Sequence, residues 1–109
     1  MTARFTTEKL RKADIYLNGV IGRFNGLADT IKDGLAKNEP LPDYVVVDFA
    51  EANRRAKTAQ NIQNLLTSDK DESIKAVRAG LTKAAMEPVS YATCIRVYVV
   101  VLDILTDKY

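Results

Sequence analysis

The segment LRKADIYLNGVIGRFNGLADTI, residues 10–31, contains two opposing structural signals, and the predicted fold depends on which of them prevails. Its apolar residues recur at alternating steps of three and four, which is the spacing of one face of an amphipathic helix. They are Leu10, Ala13, Leu17, Val20, Phe24, Leu27 and Ile31. The segment also contains Gly19, Gly22 and Gly26, and each interior glycine costs about 1 kcal/mol relative to alanine. The regular apolar spacing predicts one long helix in spite of that cost.

Two Asn-Gly pairs in the same segment support a competing interpretation. Asn18-Gly19 is typical of a type I′ turn, and Asn25-Gly26 would break the helix a second time. The chain would then form a hairpin or two short helices in place of one long helix.

The ends of the long helix are marked by capping and breaking residues. Thr6 is the expected N-cap, because Phe5 before it and Leu10 inside the helix can pack together as a hydrophobic staple. The helix is expected to end near Asn38, because the Pro-Leu-Pro sequence at 40–42 cannot continue it.

Two further helices are expected between the proline linker and residue 86. The second helix has Asp43 as its expected N-cap and a slim inner face, formed by Val45, Phe49, Ala52, Ala56, Ala59 and Leu66. A capping box for the third helix comes from Ser68 with Asp71 or from Asp69 with Glu72. The inner face of the third helix is Ile74, Val77, Leu81 and Ala84.

A fourth helix, after the break at 86–88, carries two adjoining apolar stripes. The first stripe is Tyr91, Ile95, Tyr98, Leu102 and Leu105, and the second is Cys94, Val97, Val101 and Ile104. A helix that is apolar over most of its circumference must be surrounded. It is either the central helix of the bundle or covered by a second copy of the chain, and we expect the second stripe to form a homodimer interface.

These elements predict an all-α fold, a four-helix, coiled-coil-like bundle in a single domain over residues 1–109. The alternative is an α+β fold with short strands at 44–49 and 95–102, because both segments are rich in β-branched and aromatic residues.

Composition indicates a globular protein of the cytoplasm. The 109 residues suffice to bury a core without a metal or a disulfide. Sixteen basic residues against fourteen acidic ones are too even to indicate nucleic-acid or membrane binding by themselves. The single cysteine excludes an internal disulfide and favours a reducing compartment. Residues 1–10 contain no secretory signal pattern, and 89–105 is too short an apolar segment to cross a membrane comfortably.

The residue types exclude most familiar catalytic chemistry. The chain has no histidine, which removes the Ser-His-Asp and Cys-His arrangements and the HExxH metal motif. Cys94 lies among apolar residues and is typical of a packing residue. The five glycines form no nucleotide-binding loop. We therefore expect no enzymatic activity, no metal site and no cofactor.

Two surface features are candidate binding sites. Gly19, Gly22 and Gly26 fall in one narrow arc opposite the apolar stripe, bordered by Lys12, Arg23 and Thr30, and form a predicted partner-binding groove. The alternative is that these glycines pack against another helix of the same bundle. The second feature is the outer face of the second helix, which resembles a nucleic-acid recognition helix in composition. Its candidate residues are Asn53, Arg54, Lys57, Asn61 and Asn64.

The leading hypothesis is a non-catalytic protein-interaction module, an adaptor or stoichiometric inhibitor that covers the surface of a partner protein. The alternative is a small nucleic-acid-binding regulatory protein that uses the second helix. A small-ligand site at a subunit interface stays open as a third interpretation.

Overall fold

A computed structural model describes residues 7–87 and 92–108, apart from the side chain of Thr93. It contains four α-helices in chain order, which are α1 (Glu8–Ala36), α2 (Asp43–Leu65), α3 (Lys70–Ala85) and α4 (Ala92–Leu105). The predicted four-helix, all-α fold is confirmed. The α+β alternative is wrong, because residues 44–49 and 95–102 are helical.

Helix α1 is continuous through its three glycines, as the apolar spacing predicts. Its N-cap is Thr7, whose Oγ1 accepts a hydrogen bond of 3.3 Å from the Leu10 amide. The predicted cap Thr6 and its staple partner Phe5 lie outside the described residues. The helix ends at Ala36, two residues before Asn38, which adopts a left-handed conformation with φ of 56°.

The N-cap of α2 lies one residue before the predicted one, and the structure selects one of the two predicted N-caps of α3. Pro42 occupies the N-cap position of α2, and Asp43 is the first helical residue, where its carboxylate faces the positive end of the helix dipole. Asp69 caps α3, accepting hydrogen bonds from the amides of Asp71 at 2.8 Å and Glu72 at 3.2 Å. Ser68 is therefore not the N-cap, and the return bond of a capping box is replaced by a 3.2 Å hydrogen bond that the Asp69 amide donates to Thr67 Oγ1.

Helix α4 lies at the centre of the bundle and contacts the other three helices. Its apolar residues join one core cluster with the first turns of α1 and the second half of α2. The α2 side of the interface is lined by Ala52, Ala56 and Ala59, which are all buried. Because alanine side chains are short, they allow neighbouring helices to approach closely.

The four-helix body covers only part of the two longest helices. At 1.5 Å per residue the 29 residues of α1 span about 43 Å, whereas the 14 residues of α4 span about 21 Å. Between residues 18 and 51 Gly34 is the only buried residue. We call residues 24–49 the arm, a helical hairpin that comprises the end of α1, the connection and the start of α2.

Candidate functional site

The glycine face of α1 is exposed and unobstructed. A methyl group added at Gly19, Gly22 or Gly26 would meet no atom within 4 Å outside the local helix backbone. None of the three has a positive φ, so their backbone is accessible to any residue. The alternative in which these glycines pack against another helix of the bundle is therefore wrong.

An exposed isoleucine extends this face toward the start of α1. Ile15 is 64% exposed and lies four residues before Gly19. The positions 15, 19, 22 and 26 alternate steps of four and three, which is the spacing of a helix–helix seam. Ile15 was not among the residues predicted for the groove, although its four-residue spacing from Gly19 is visible in the sequence.

The polar residues around the glycine face have modest local interactions. The Lys12 ammonium lies 3.6 Å from the Glu8 carboxylate on the same helix. The Thr30 hydroxyl donates a 3.0 Å hydrogen bond to the Gly26 carbonyl. Arg23 is exposed beside the glycines. Lys12 and Thr30 are thus both held by partners on their own helix.

The outer face of α2 is accessible along part of its predicted length. Lys57, Asn61 and Asn64 are exposed, whereas Asn53 and Arg54 are half-buried. The five residues thus form a graded surface that is most accessible toward the end of α2. Binding of nucleic acid to this surface stays a prediction.

The predicted dimer stripe of α4 is covered by the chain itself. Val101 is 0% exposed, Val97 and Ile104 are also buried, and Cys94 is half-buried. On the first stripe, Tyr98 is buried too, and burial is the main cause that raises the pKa of its phenol. The apolar circumference of α4 thus reflects its central position, and the three buried residues offer no surface to a second copy.

Among the residues that the structure describes, the arm presents the largest group of exposed apolar side chains. Phe24 and Phe49 mark its base, with ring centroids 5.2 Å apart and planes tilted by 36°. Beyond them, half-buried side chains follow the seam between the two helices, namely Leu27, Ile31 and Val45. Four further apolar side chains are more than half exposed, namely Leu35, Tyr44, Val46 and Val47.

The arm differs from the body in charge. It contains five of the chain's fourteen acidic residues and only two of its sixteen basic ones, Lys32 and Lys37. One of these, Lys37, pairs with Asp33 at 3.1 Å on the same helix. The arm is therefore a net acidic, partly apolar surface attached to a net basic body.

The apolar surface of the arm was missed by sequence analysis, although one signal marks it. Residues 44–47 are four successive apolar residues, Tyr-Val-Val-Val, in the first turns of α2. A helix turns by about 100° per residue, so four successive residues cover most of its circumference. Helix α1 covers one side of α2 only, and the other apolar residues must face solvent or another molecule.

Within residues 7–87 and 92–108, no group of three or more carboxylate or thiol side chains is placed to hold a metal ion. No helix in the described ranges is long and apolar enough to cross a membrane. Comparisons with protein-family models, with curated protein sequences and with solved structures find no significant match to this chain.

Proposed function

We propose that this protein is a non-catalytic protein-interaction module that binds a partner protein through its arm. The observation that supports this function is the exposure of Leu35, Tyr44, Val46 and Val47 on a hairpin that the rest of the bundle leaves uncovered. Large apolar side chains that are exposed together on one element are typical of an interaction surface. The module acts as an adaptor or stoichiometric inhibitor by covering the surface of its partner.

The energetics of the arm favour a partner that packs along it. Two helices cover each other on one side only, and much of the stability of a helix comes from packing its apolar face. Phe24, Leu27 and Phe49 are half-buried in the free chain, so a third helix against the seam would complete their burial. Burying apolar area contributes about 25 cal/mol per Å², and a partner that also covers the more exposed Tyr44 and Val47 adds to this gain.

The charge of the arm selects the kind of partner. An amphipathic helix with basic residues beside its apolar stripe complements the arm, which has five acidic residues and two basic ones. Two arms of this chain would bring like charges together, which is unfavourable. The proposed occupant is therefore a basic amphipathic helix of another protein.

The glycine face is a second docking surface in the same proposal. Ile15 and Gly22 lie on a stripe where a partner helix can approach the α1 backbone closely. The proposal places the protein in the cytoplasm, because its single cysteine is typical of chains from reducing compartments. Homodimer formation stays a prediction, and any such contact would have to use a surface other than buried Val97, Val101 and Ile104.

Site-specific photo-crosslinking tests the arm directly. A photo-reactive amino acid at position 47 samples the arm, and the same amino acid at Met86, which is 79% exposed at the end of α3, is the matched control. We expect a defined adduct in cells from position 47 and none of that mass from position 86. The adduct is identified by mass spectrometry, and its basic helical segment is then synthesised as a peptide.

Affinity measurements with that peptide complete the test. Tyr44→Gln and Val47→Gln should each weaken binding about tenfold or more, because large side chains at the centre of an interface dominate affinity. Met86→Gln should leave it unchanged. Equal affinities for all variants would contradict docking on the arm. An adduct made of two copies of this chain would instead show that the arm binds itself and would overturn the proposed partner.

A further inference from the structure

Three arginines from three helices line one cavity where the arm joins the body. Arg23 of α1, Arg55 of α2 and Arg96 of α4 surround a recess of about 220 Å³, together with Tyr16 of α1. The three residues are more than thirty positions apart in sequence. Their convergence therefore results from the packing of α1, α2 and α4 against one another.

The positive charge of this cavity is poorly compensated by the chain. No carboxylate is among the described residues that line it. Arg23 and Arg96 make no ion pair or side-chain hydrogen bond in residues 7–87 and 92–108. The nearest acidic partner of Arg55 is Glu51, whose Oε2 lies 3.7 Å from Nη2, too far for a hydrogen bond.

Arg55 also has an unsatisfied donor in the interior. Its Nε is buried and makes no hydrogen bond within the described ranges. Buried polar groups are nearly always paired, and an unpaired donor on a charged group is costly. An anion in the cavity would neutralise the guanidinium groups of Arg23, Arg55 and Arg96.

We propose that this cavity binds a small oxyanion of the phosphate class. Guanidinium groups bind phosphate oxygens through two parallel N–H donors, which is the geometry that arginine supplies and lysine does not. Ligand pockets for drug-sized molecules measure roughly 300–1,000 Å³, so the recess fits a compact anion better than a larger ligand. The site lies at the base of the arm and is independent of the docking function proposed above.

Titration with inorganic phosphate at constant ionic strength tests the site. The melting temperature and the ¹⁵N–¹H resonance of Arg55 Nε are followed while phosphate replaces chloride at pH 7.5. We expect a saturable rise in melting temperature and a shift of that resonance, because a ligand that binds the folded state stabilises it. A parallel titration with glycerol 3-phosphate shows whether the site binds free phosphate or a phosphorylated small molecule. A response to both anions indicates a phosphorylated small molecule, and a response to phosphate alone indicates the free ion.

Three variants connect the response to the cavity. Arg23→Gln and Arg96→Gln change exposed residues and should leave the fold intact while raising the phosphate Kd about tenfold each. Arg55→Gln should raise it at least as much. Arg78→Gln removes the same charge from an exposed position on α3 and should have no effect. The proposal is overturned if phosphate acts no differently from chloride, or if the Arg23 and Arg96 variants respond as the unmodified protein does.

Discussion

Replacing Gly22 with alanine should stabilise this protein. The new methyl group would meet no atom within 4 Å outside the local helix backbone, and the backbone there is helical without a positive φ. Alanine also restricts the unfolded chain more than glycine does. These effects together are worth about 0.5–1 kcal/mol per substitution at an exposed helix position.

The same reasoning applies to Gly19 and Gly26, which have equally open surroundings. The triple alanine variant should therefore gain about 1.5–3 kcal/mol if the three sites act independently. For a chain of this size, 1 kcal/mol moves the melting temperature by about 4–8 °C. Thermal and urea denaturation followed by circular dichroism measure the change.

Gly80→Ala is the matched control with the opposite sign. A Cβ at Gly80 would lie 2.9 Å from Cε1 of Tyr98 and 3.3 Å from Cδ1 of Leu65. Such overpacking costs about 1–3 kcal/mol, which equals or exceeds the gain in helix propensity. A lower melting temperature for Gly22→Ala would refute an open, continuous α1.

Gly22→Leu tests whether the glycine face binds a partner without changing the fold of the chain. The side chain would project into open surroundings, so the fold should be kept. It should nevertheless block a partner helix that needs close approach to the backbone. Unchanged affinity for a purified partner would exclude the glycine face as a docking site and leave the arm unaffected.

Two further predictions concern α4 and α2. Val101→Asp should unfold the chain, because it places an unpaired charge at a fully buried position. The control Val99→Asp, at a position that is 40% exposed, should stay folded. A Val101→Asp protein that sediments as a folded monomer would contradict the central position of α4. If the outer face of α2 binds nucleic acid, the double variant Arg54→Ala and Lys57→Ala should weaken that binding. The slope of log affinity against log salt concentration should fall by about one per lost phosphate contact. Absence of any complex with DNA or RNA at low salt would exclude this function.

The helices of this protein follow from local patterns in its sequence. Apolar spacing is local information, and it correctly predicted that α1 is continuous across Gly19, Gly22 and Gly26. Capping chemistry is also local, and it limited the start of α3 to Ser68 or Asp69, of which the structure has Asp69. The apolar circumference of α4 predicted that this helix is surrounded, but could not say whether the same chain or a second copy surrounds it.

Which apolar faces are covered depends on how the helices pack against one another. Helices α3 and α4 are shorter than α1 and α2, so they do not cover the arm, and apolar residues of the arm stay exposed. Periodicity alone does not show whether such residues lie in a core or on a surface. The meeting of Arg23, Arg55 and Arg96 is likewise invisible in sequence. Each arginine lies beside the apolar stripe of its own helix, and the distance between them depends on how three helices pack, which no local pattern encodes.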